Sequence, residues 1–425
     1  MPVPANTPHL LLGPFTQLLP MAGLPLKGAL RDTQLTVVEN AGLLLHQGKI
    51  LEWGPFESLE GRAHELGASR YRPEGGTVCL PGLIDSHTHS CFAGSRARDY
   101  ALRNSGSTYL EIAEAGGGIW DTVTQTRKAS EAELERLLVA RCNRFTADGI
   151  TTLEVKSGYG LSVEAELKML RVIASAASQV AQDLVPTCLA AHMVPRDFEG
   201  GAEAYLNMIQ VELLPILIRE GLARRIDAFV ERSAFSPQQI RPFFEEARRM
   251  GFDITVHADQ FTTGGSAAAI ACGAHSADHL EASGPEEVRA LAASNVVATA
   301  LPGASLGLGC GYTPARALLD AGACLAIASD YNPGSAPMGD LLAQAAILGA
   351  AEKLSNAEVL AAITCRAAAA LGLKDRGSLA PGQKADLAVF PTDHYNEILY
   401  HQGRLKPVSV WKDGRCVLDL SKTAP

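Results

Sequence analysis

Leu83-Ile84-Asp85-Ser86-His87-Thr88-His89 is the stretch from which the rest of the chain is read. Leu83–Ser86 is a short apolar run of strand type, and two histidines one residue apart follow it at once. Seven further runs of this kind come later: Thr151–Val155, Pro186–Ala191, Ala228–Glu231, Asp253–Val256, Ser276–His279, Val296–Ala300 and Cys324–Ala328. Helical patterns lie between several of them. Val163–Ser175 has apolar residues at 163, 167, 170 and 173, the spacing of one helix face. Pro237–Met250 opens with Ser236 placed to cap it and Pro237 in its first turn, and Gly251 stops it. Eight strand–helix repeats predict the α/β class and a closed (β/α)8 TIM-like barrel over residues 80–375. A doubly wound sheet ranks second, because such sheets usually have fewer strands.

Outside the barrel the pattern changes. Leu35–Val38, Ala41–Leu45 and Lys49–Trp53 have strand character, with Gln47-Gly48 as a turn. Ala385–Phe390 and Val408–Val417 read the same way, and Lys412-Asp413-Gly414 marks a hairpin. Residues 1–79 and 376–425 are therefore expected to build one small β-sandwich from both chain ends. The apolar start Pro8–Met21 is readable as one of its strands or as a contact between subunits of a homodimer. The 64 residues between the first two barrel strands leave room for an active-site insertion around Gly116-Gly117-Gly118.

Composition narrows the function classes. The 425 residues are 47% hydrophobic and 20% charged, enough apolar material for a large core. Lys and Arg total 37 against 46 Asp and Glu, a net charge of −9. That sign, with no run of Lys or Arg, argues against nucleic acid as a partner. No stretch of about 18 apolar residues predicts a membrane span. Met1–Pro20 lacks a basic segment and a small-residue cleavage site, so no secretory signal is expected. The nine cysteines are odd in number and show no C-x-x-C spacing. They read as reduced thiols of a cytoplasmic protein.

Five of the six barrel histidines, 87, 89, 192, 257 and 279, fall at or just past the C-terminal end of a predicted strand. Catalytic groups of such barrels collect at that end. Residues two apart on extended backbone project to one side, so His87 and His89 can reach one ion. His257 ends the fifth strand and Asp330 the eighth. Three imidazoles and one carboxylate suit zinc or iron. A bound divalent ion brings the pKa of a water toward neutrality, and Asp330 is placed to carry its proton. His279 is placed to polarise a carbonyl, whereas His275, at a strand start, reads as structural. Glu154 and Glu231 read as strand-end partners of the site. Gly307–Gly311 lacks the spacing of a phosphate loop and reads as a barrel loop.

Pro81-Gly82-Leu83-Ile84-Asp85-Ser86-His87-Thr88-His89 resembles the opening motif of the amidohydrolase superfamily, metal-dependent hydrolases on a (β/α)8 barrel with a flanking sandwich. The tail Gly377-Ser378-Leu379-Ala380-Pro381-Gly382-Gln383-Lys384-Ala385-Asp386-Leu387 resembles the superfamily's return to that sandwich. Within the superfamily the chain is most similar to the imidazolonepropionase family. Phe92–Arg96, Glu154–Leu161, Ala191-His192, His257–Gln260 and Asp330–Gly334 carry that likeness, in family order. The resemblance implies hydrolytic opening of 4-imidazolone-5-propionate to N-formimidoyl-L-glutamate, a small substrate with a carboxylate tail. It implies one zinc or iron ion on His87, His89, His257 and Asp330. It places Arg96, Tyr159, His192 and Gln260 against the imidazolone, and Asn332, Gly334 and Ser335 at the propionate end. Some family members carry Glu at position 260. Gln260 hydrogen-bonds but cannot act as a base, so among Asp330, His279 and Gln260 the proton transfer falls to Asp330 and His279. Arg96 offers a fork for a carboxylate. Tyr159, between Gly158 and Gly160, is expected on a mobile loop, its ring over a planar ligand. Lys156, ending the second strand, is read as unlikely to be carboxylated to bridge two metals.

Overall fold

The computed structural model describes residues 9–107, 111 and 116–420. Thirteen strands precede the tail: β1 (His9–Leu18), β2 (Val38–His46), β3 (Lys49–Pro55), β4 (Ser69–Tyr71), β5 (Val78–Pro81), β6 (Leu83–Asp85), β7 (Ile150–Lys156), β8 (Asp183–Ala191), β9 (Arg225–Val230), β10 (Asp253–Ala258), β11 (Ser276–His279), β12 (Val297–Ala300) and β13 (Cys324–Ile327). The tail adds β14 (Leu387–Phe390), β15 (Ser409–Lys412) and β16 (Arg415–Asp419).

β6 to β13 form one sheet in sequence order, with every neighbouring pair parallel. All eight expected barrel strands are present. They are largely buried on both faces, between a packed interior and a helical ring, which explains their mostly apolar composition. The ring closes just beyond β6 and β13. Thr88 bridges Tyr331, the His89 amide donates to the Tyr331 carbonyl at 2.9 Å, and the Asp330 amide donates to the His87 carbonyl at 3.0 Å. The seam of the barrel is thus stitched by the residues that carry the candidate donors.

The second sheet runs β16-β15-β14-β5-β1-β2-β3, with β4 alongside β1, so both chain ends share it. This assigns Pro8–Met21: its described part supplies β1, whose Leu10, Leu12 and Phe15 pack with Leu43, Leu387 and Trp411. Gln47-Gly48 and Asp413-Gly414 turn their hairpins with positive φ at both positions, the geometry that two-residue hairpins favour. The two tips touch: a Cβ on Gly48 would lie 2.8 Å from the Asp413 carbonyl oxygen.

One expectation is corrected. Leu35–Val38 is not a strand; a single 3-10 turn (Asp32–Gln34) ends at Leu35, and β2 starts at Val38. Two short helices, Asn356–Ala362 and Cys365–Ala370, follow the barrel strands and are separated at Ile363. The Ile363 carbonyl accepts from the Ile84 amide at 3.0 Å, so the helix end ties the first barrel strand. No helix among the described residues is long and apolar enough to cross a membrane.

Candidate active site

The strand ends bring four donors together. His87 Nε2 lies 3.3 Å from His89 Nε2, and His257 Nε2 lies 3.2 Å from His89 Nε2. Asp330 Oδ1 is 3.5 Å from His87 Nε2 and 3.4 Å from His89 Nε2. Donors about 2.0–2.1 Å from a tetrahedral centre stand about 3.3 Å apart, so these spacings fit one metal ion. Asp330 Oδ1 is buried and meets no donor at hydrogen-bond geometry, as a ligand atom would. His279 also comes within 4.8 Å of His87 and His257.

Burial favours the neutral, ligating form of His87 and His257. It pushes His87 well below its ordinary value and His257 down to about 4, the latter against the pull of Asp227. Burial presses Asp330 upward, but the surrounding histidines outweigh it and keep the carboxylate ionised. His279 behaves oppositely: burial lowers its pKa, yet Glu281, 3.5 Å from Nδ1, raises it above the ordinary value overall.

The backbone at these strand ends is unusual. Asp259, His279, Leu280 and Asp330 all have φ between 50° and 85°, a region that L residues rarely adopt. Such strain collects where a fold over-determines a site. Asp259 shows how: its carboxylate accepts from the Ser266 amide at 3.1 Å and the Ser283 hydroxyl at 2.9 Å. Gln260 follows it, half-buried, and makes no hydrogen bond with the four donors.

A wall of different construction borders the donors. Arg96 is nearly buried, and its Nε donates to Asp99 at 2.8 Å. Its Nη1 sits close over Gly334, where a Cβ would come within 2.3 Å and push the guanidinium aside. Asn332 spends its amide on its own loop. Its Oδ1 accepts from the Gly334 and Ser335 amides at 2.8 Å, and its Nδ2 donates to the Asp330 carbonyl and the Ser335 hydroxyl. Asn332 therefore shapes the loop. His192 Nδ1 donates to the Gly158 carbonyl at 2.9 Å, leaving Nε2 as an acceptor, and burial holds this ring neutral with a pKa near about 3.

Tyr159 is buried, its ring 5.8 Å from His89 and 5.6 Å from His192, centroid to centroid. The expected mobile loop is corrected. Glu166, fully buried in the helix Val163–Ala176, accepts from the amides of Gly158, Gly160 and Leu161 at 2.8 to 3.2 Å. A Cβ on Gly160 would collide with that helix at 2.6 Å, and Gly158 has φ +103°, so both glycines are required by the turn.

The sequence reading missed Glu166, Asp227, Asp278 and Glu281. A carboxylate inside an apolar strand, as Asp227 is in β9, was a usable signal. Glu154 is corrected from a strand end to the strand interior, where Thr187 donates to it at 2.5 Å. Glu231 accepts from the amides of Phe261 and Thr262 and so fixes the loop after β10. His275 binds Asp253 at 3.1 Å at the strand start, a structural role as expected. Gly307 accepts from Arg103 at 2.7 Å through its carbonyl and packs on the Ser335 carbonyl.

A parallel eight-stranded barrel with imidazole and carboxylate donors at its strand ends defines a barrel hydrolase. Residues 110–418 match the family model described as "Amidohydrolase family". The imidazolonepropionase of Symbiobacterium thermophilum is 41% identical over 414 residues, covering 96% of both chains. That of Deinococcus radiodurans is 43% identical over 381 residues, covering 89% of this chain and 92% of its own. The chain belongs to the amidohydrolases and, within them, to the imidazolonepropionase family. Among solved structures, the zinc complex of an atrazine chlorohydrolase from Arthrobacter aurescens TC1 shares the fold, with TM-score 0.71 and 17% identity over 97% of this chain and 96% of the other. A zinc-bound adenosine deaminase from Xanthomonas campestris gives TM-score 0.70 and 18% identity over 97% and 93%.

Proposed function

We propose that the protein hydrolyses the cyclic amide C–N bond of 4-imidazolone-5-propionate to give N-formimidoyl-L-glutamate, with one zinc or iron ion held by His87, His89, His257 and Asp330. The observation that carries this reading is the convergence of those four donors beside the Arg96 guanidinium, in a chain about 40% identical to imidazolonepropionases. A bound ion supplies Lewis acidity and an acidified water near neutral pH. Arg96 pairs with the propionate through the face of its fork turned away from Asp99, and the Asn332–Ser335 turn closes the tail end. His192 Nε2 accepts from a ring N–H, Tyr159 covers the ring, and Gln260 meets the N–C=O edge. The Asp330 carboxylate takes a proton from the attacking water and gives it to the leaving ring nitrogen. His279, whose pKa Glu281 raises, is placed to donate to the oxygen on which charge develops.

Residues 80–375 act in this reading as the catalytic barrel, and 1–79 with 376–425 as its sandwich. The absence of a disulfide pairing among the described cysteines favours the cytoplasm. Sizing under native conditions tests the homodimer.

Generating imidazolonepropionate in place from urocanate with urocanase, and following its ultraviolet loss, tests the activity. Loss should require the metal, stop on chelation and return with zinc or iron, with formimidoyl-glutamate as product. A fully metallated protein that leaves the substrate untouched overturns this substrate; ammonia release from a purine or pyrimidine panel would then mark a deaminase.

A further inference from the structure

We infer that Lys156 is a positioning residue that fixes which nitrogen His87 and His257 turn toward the metal. This rests on the metal reading above. Lys156 closes β7 and is wholly buried. Its Nζ lies 2.8 Å from Glu154 Oε2, 2.8 Å from Asp227 Oδ2 and 4.0 Å from Asp278 Oδ2. The second and third of these carboxylates each serve an imidazole as well. Asp227 Oδ2 is 2.8 Å from His257 Nδ1, and Asp278 Oδ2 accepts from His87 Nδ1 at 2.7 Å.

The chemistry follows from that double use. An imidazole beside a carboxylate keeps its proton on the nitrogen facing it, which leaves the other nitrogen as a lone pair. In both rings the other nitrogen is Nε2, the one turned into the donor cluster. The carboxylates are themselves oriented from outside. The His257 amide donates to Asp227 Oδ1 at 3.2 Å, and the Thr255 hydroxyl donates to Asp278 Oδ2 at 3.1 Å.

Glu154, Asp227 and Asp278 share one buried region, and among the described residues only Lys156 reaches all three. Arg225 adds a second cation at 3.5 Å from Glu154 alone. Removing Lys156 leaves neighbouring buried carboxylates to repel one another, so that one turns away. That movement releases an Nδ1–H and lets the ring present Nε2–H to the metal. The same contacts explain why Lys156 is not a bridging ligand: its Nζ is taken by carboxylates behind the imidazoles.

The test uses the full chain and zinc alone, with affinity read by competition against a chromogenic chelator. Thermal unfolding of the chelated protein is measured in parallel. Wild type should bind one zinc per chain; failure there overturns the metal reading itself. Lys156→Met should weaken zinc binding about 10- to 100-fold, the usual effect of removing a group that orients a ligand. The pair Glu154→Gln with Lys156→Met removes one acid along with the cation. It should restore the unfolding midpoint of the chelated protein and leave zinc binding weak, a split that a purely structural lysine would not give. Zinc affinity within threefold of wild type in either variant overturns the inference. Should neither accumulate folded, Asp227→Asn decides: it should show the same loss, and wild-type affinity there overturns the inference equally.

Discussion

The donor cluster and the Arg96 wall border one site but are built in opposite ways. The cluster draws on β6, β10 and the chain beyond β13, and its hydrogen bonds join residues far apart in sequence, such as Asp85 with Ser329 across 244 positions. The wall's side-chain hydrogen bonds are short-range, Arg96 to Asp99 three residues on and Asn332 to Gly334 and Ser335, and the packing of Arg96 over Gly334 joins its two pieces. Parts fixed by many distant elements hold a geometry; parts fixed by one turn can vary without disturbing the barrel. In the proposed function, reactivity belongs to the floor and substrate choice to the wall.

Asp330→Asn breaks or sharpens that division most strongly. It keeps the size of the side chain but cannot carry the proton, so kcat should fall about 10²- to 10⁴-fold while most of the metal stays bound. Turnover and metal content on one preparation check this, and full activity would remove Asp330 from proton transfer. Arg96→Lys tests the wall. It keeps the charge and loses the fork, so KM should rise about 10- to 100-fold with kcat nearly unchanged, the worth of a charged hydrogen bond. A fall in kcat alone would mean that the wall acts on the chemistry.

A third effect concerns acid. Burial holds His192 near about 3 and His257 near about 4, below the ordinary 6.5. The unfolded chain therefore binds more protons than the folded one between these values, and stability falls as pH drops from 6.5 toward 4. The loss is at most about tenfold in the unfolding equilibrium per pH unit and per group. Chemical denaturation of the chelated protein across that window measures it, and metal should suppress it, because a ligated imidazole resists protonation. A stability that does not change with pH would show that the floor is not held neutral.

Much of this was legible in the sequence, and the reason is physical. Strands largely buried on both faces are mostly apolar, so the histidines and Asp330 that end them stand out against Leu, Val and Ile. The supports did not stand out. Asp227, Asp278 and Lys156 matter through one another, and no local period reveals that residues on three strands share a region. Glu166 looked like an ordinary helix-forming residue, although its carboxylate holds the turn carrying Tyr159. Asn332 reads as a substrate contact, and its side-chain hydrogen bonds show that it also holds the loop. The break at Ile363 was hidden because the carbonyl that ends the helix is claimed by Ile84, far earlier in the chain.

The seam where the His87 carbonyl meets the Asp330 amide has a consequence in time. Closing a loop of that length is entropically costly and late, whereas each strand–helix repeat can form from near neighbours. His87 and His89 leave the ribosome long before Asp330, and until β13 docks they have no fourth donor and no closed wall. A nascent chain therefore cannot assemble the four-donor site prematurely. Tight metal capture reports that the last strand has arrived, and a chain truncated before Cys324 should bind the ion only as loosely as scattered histidines do.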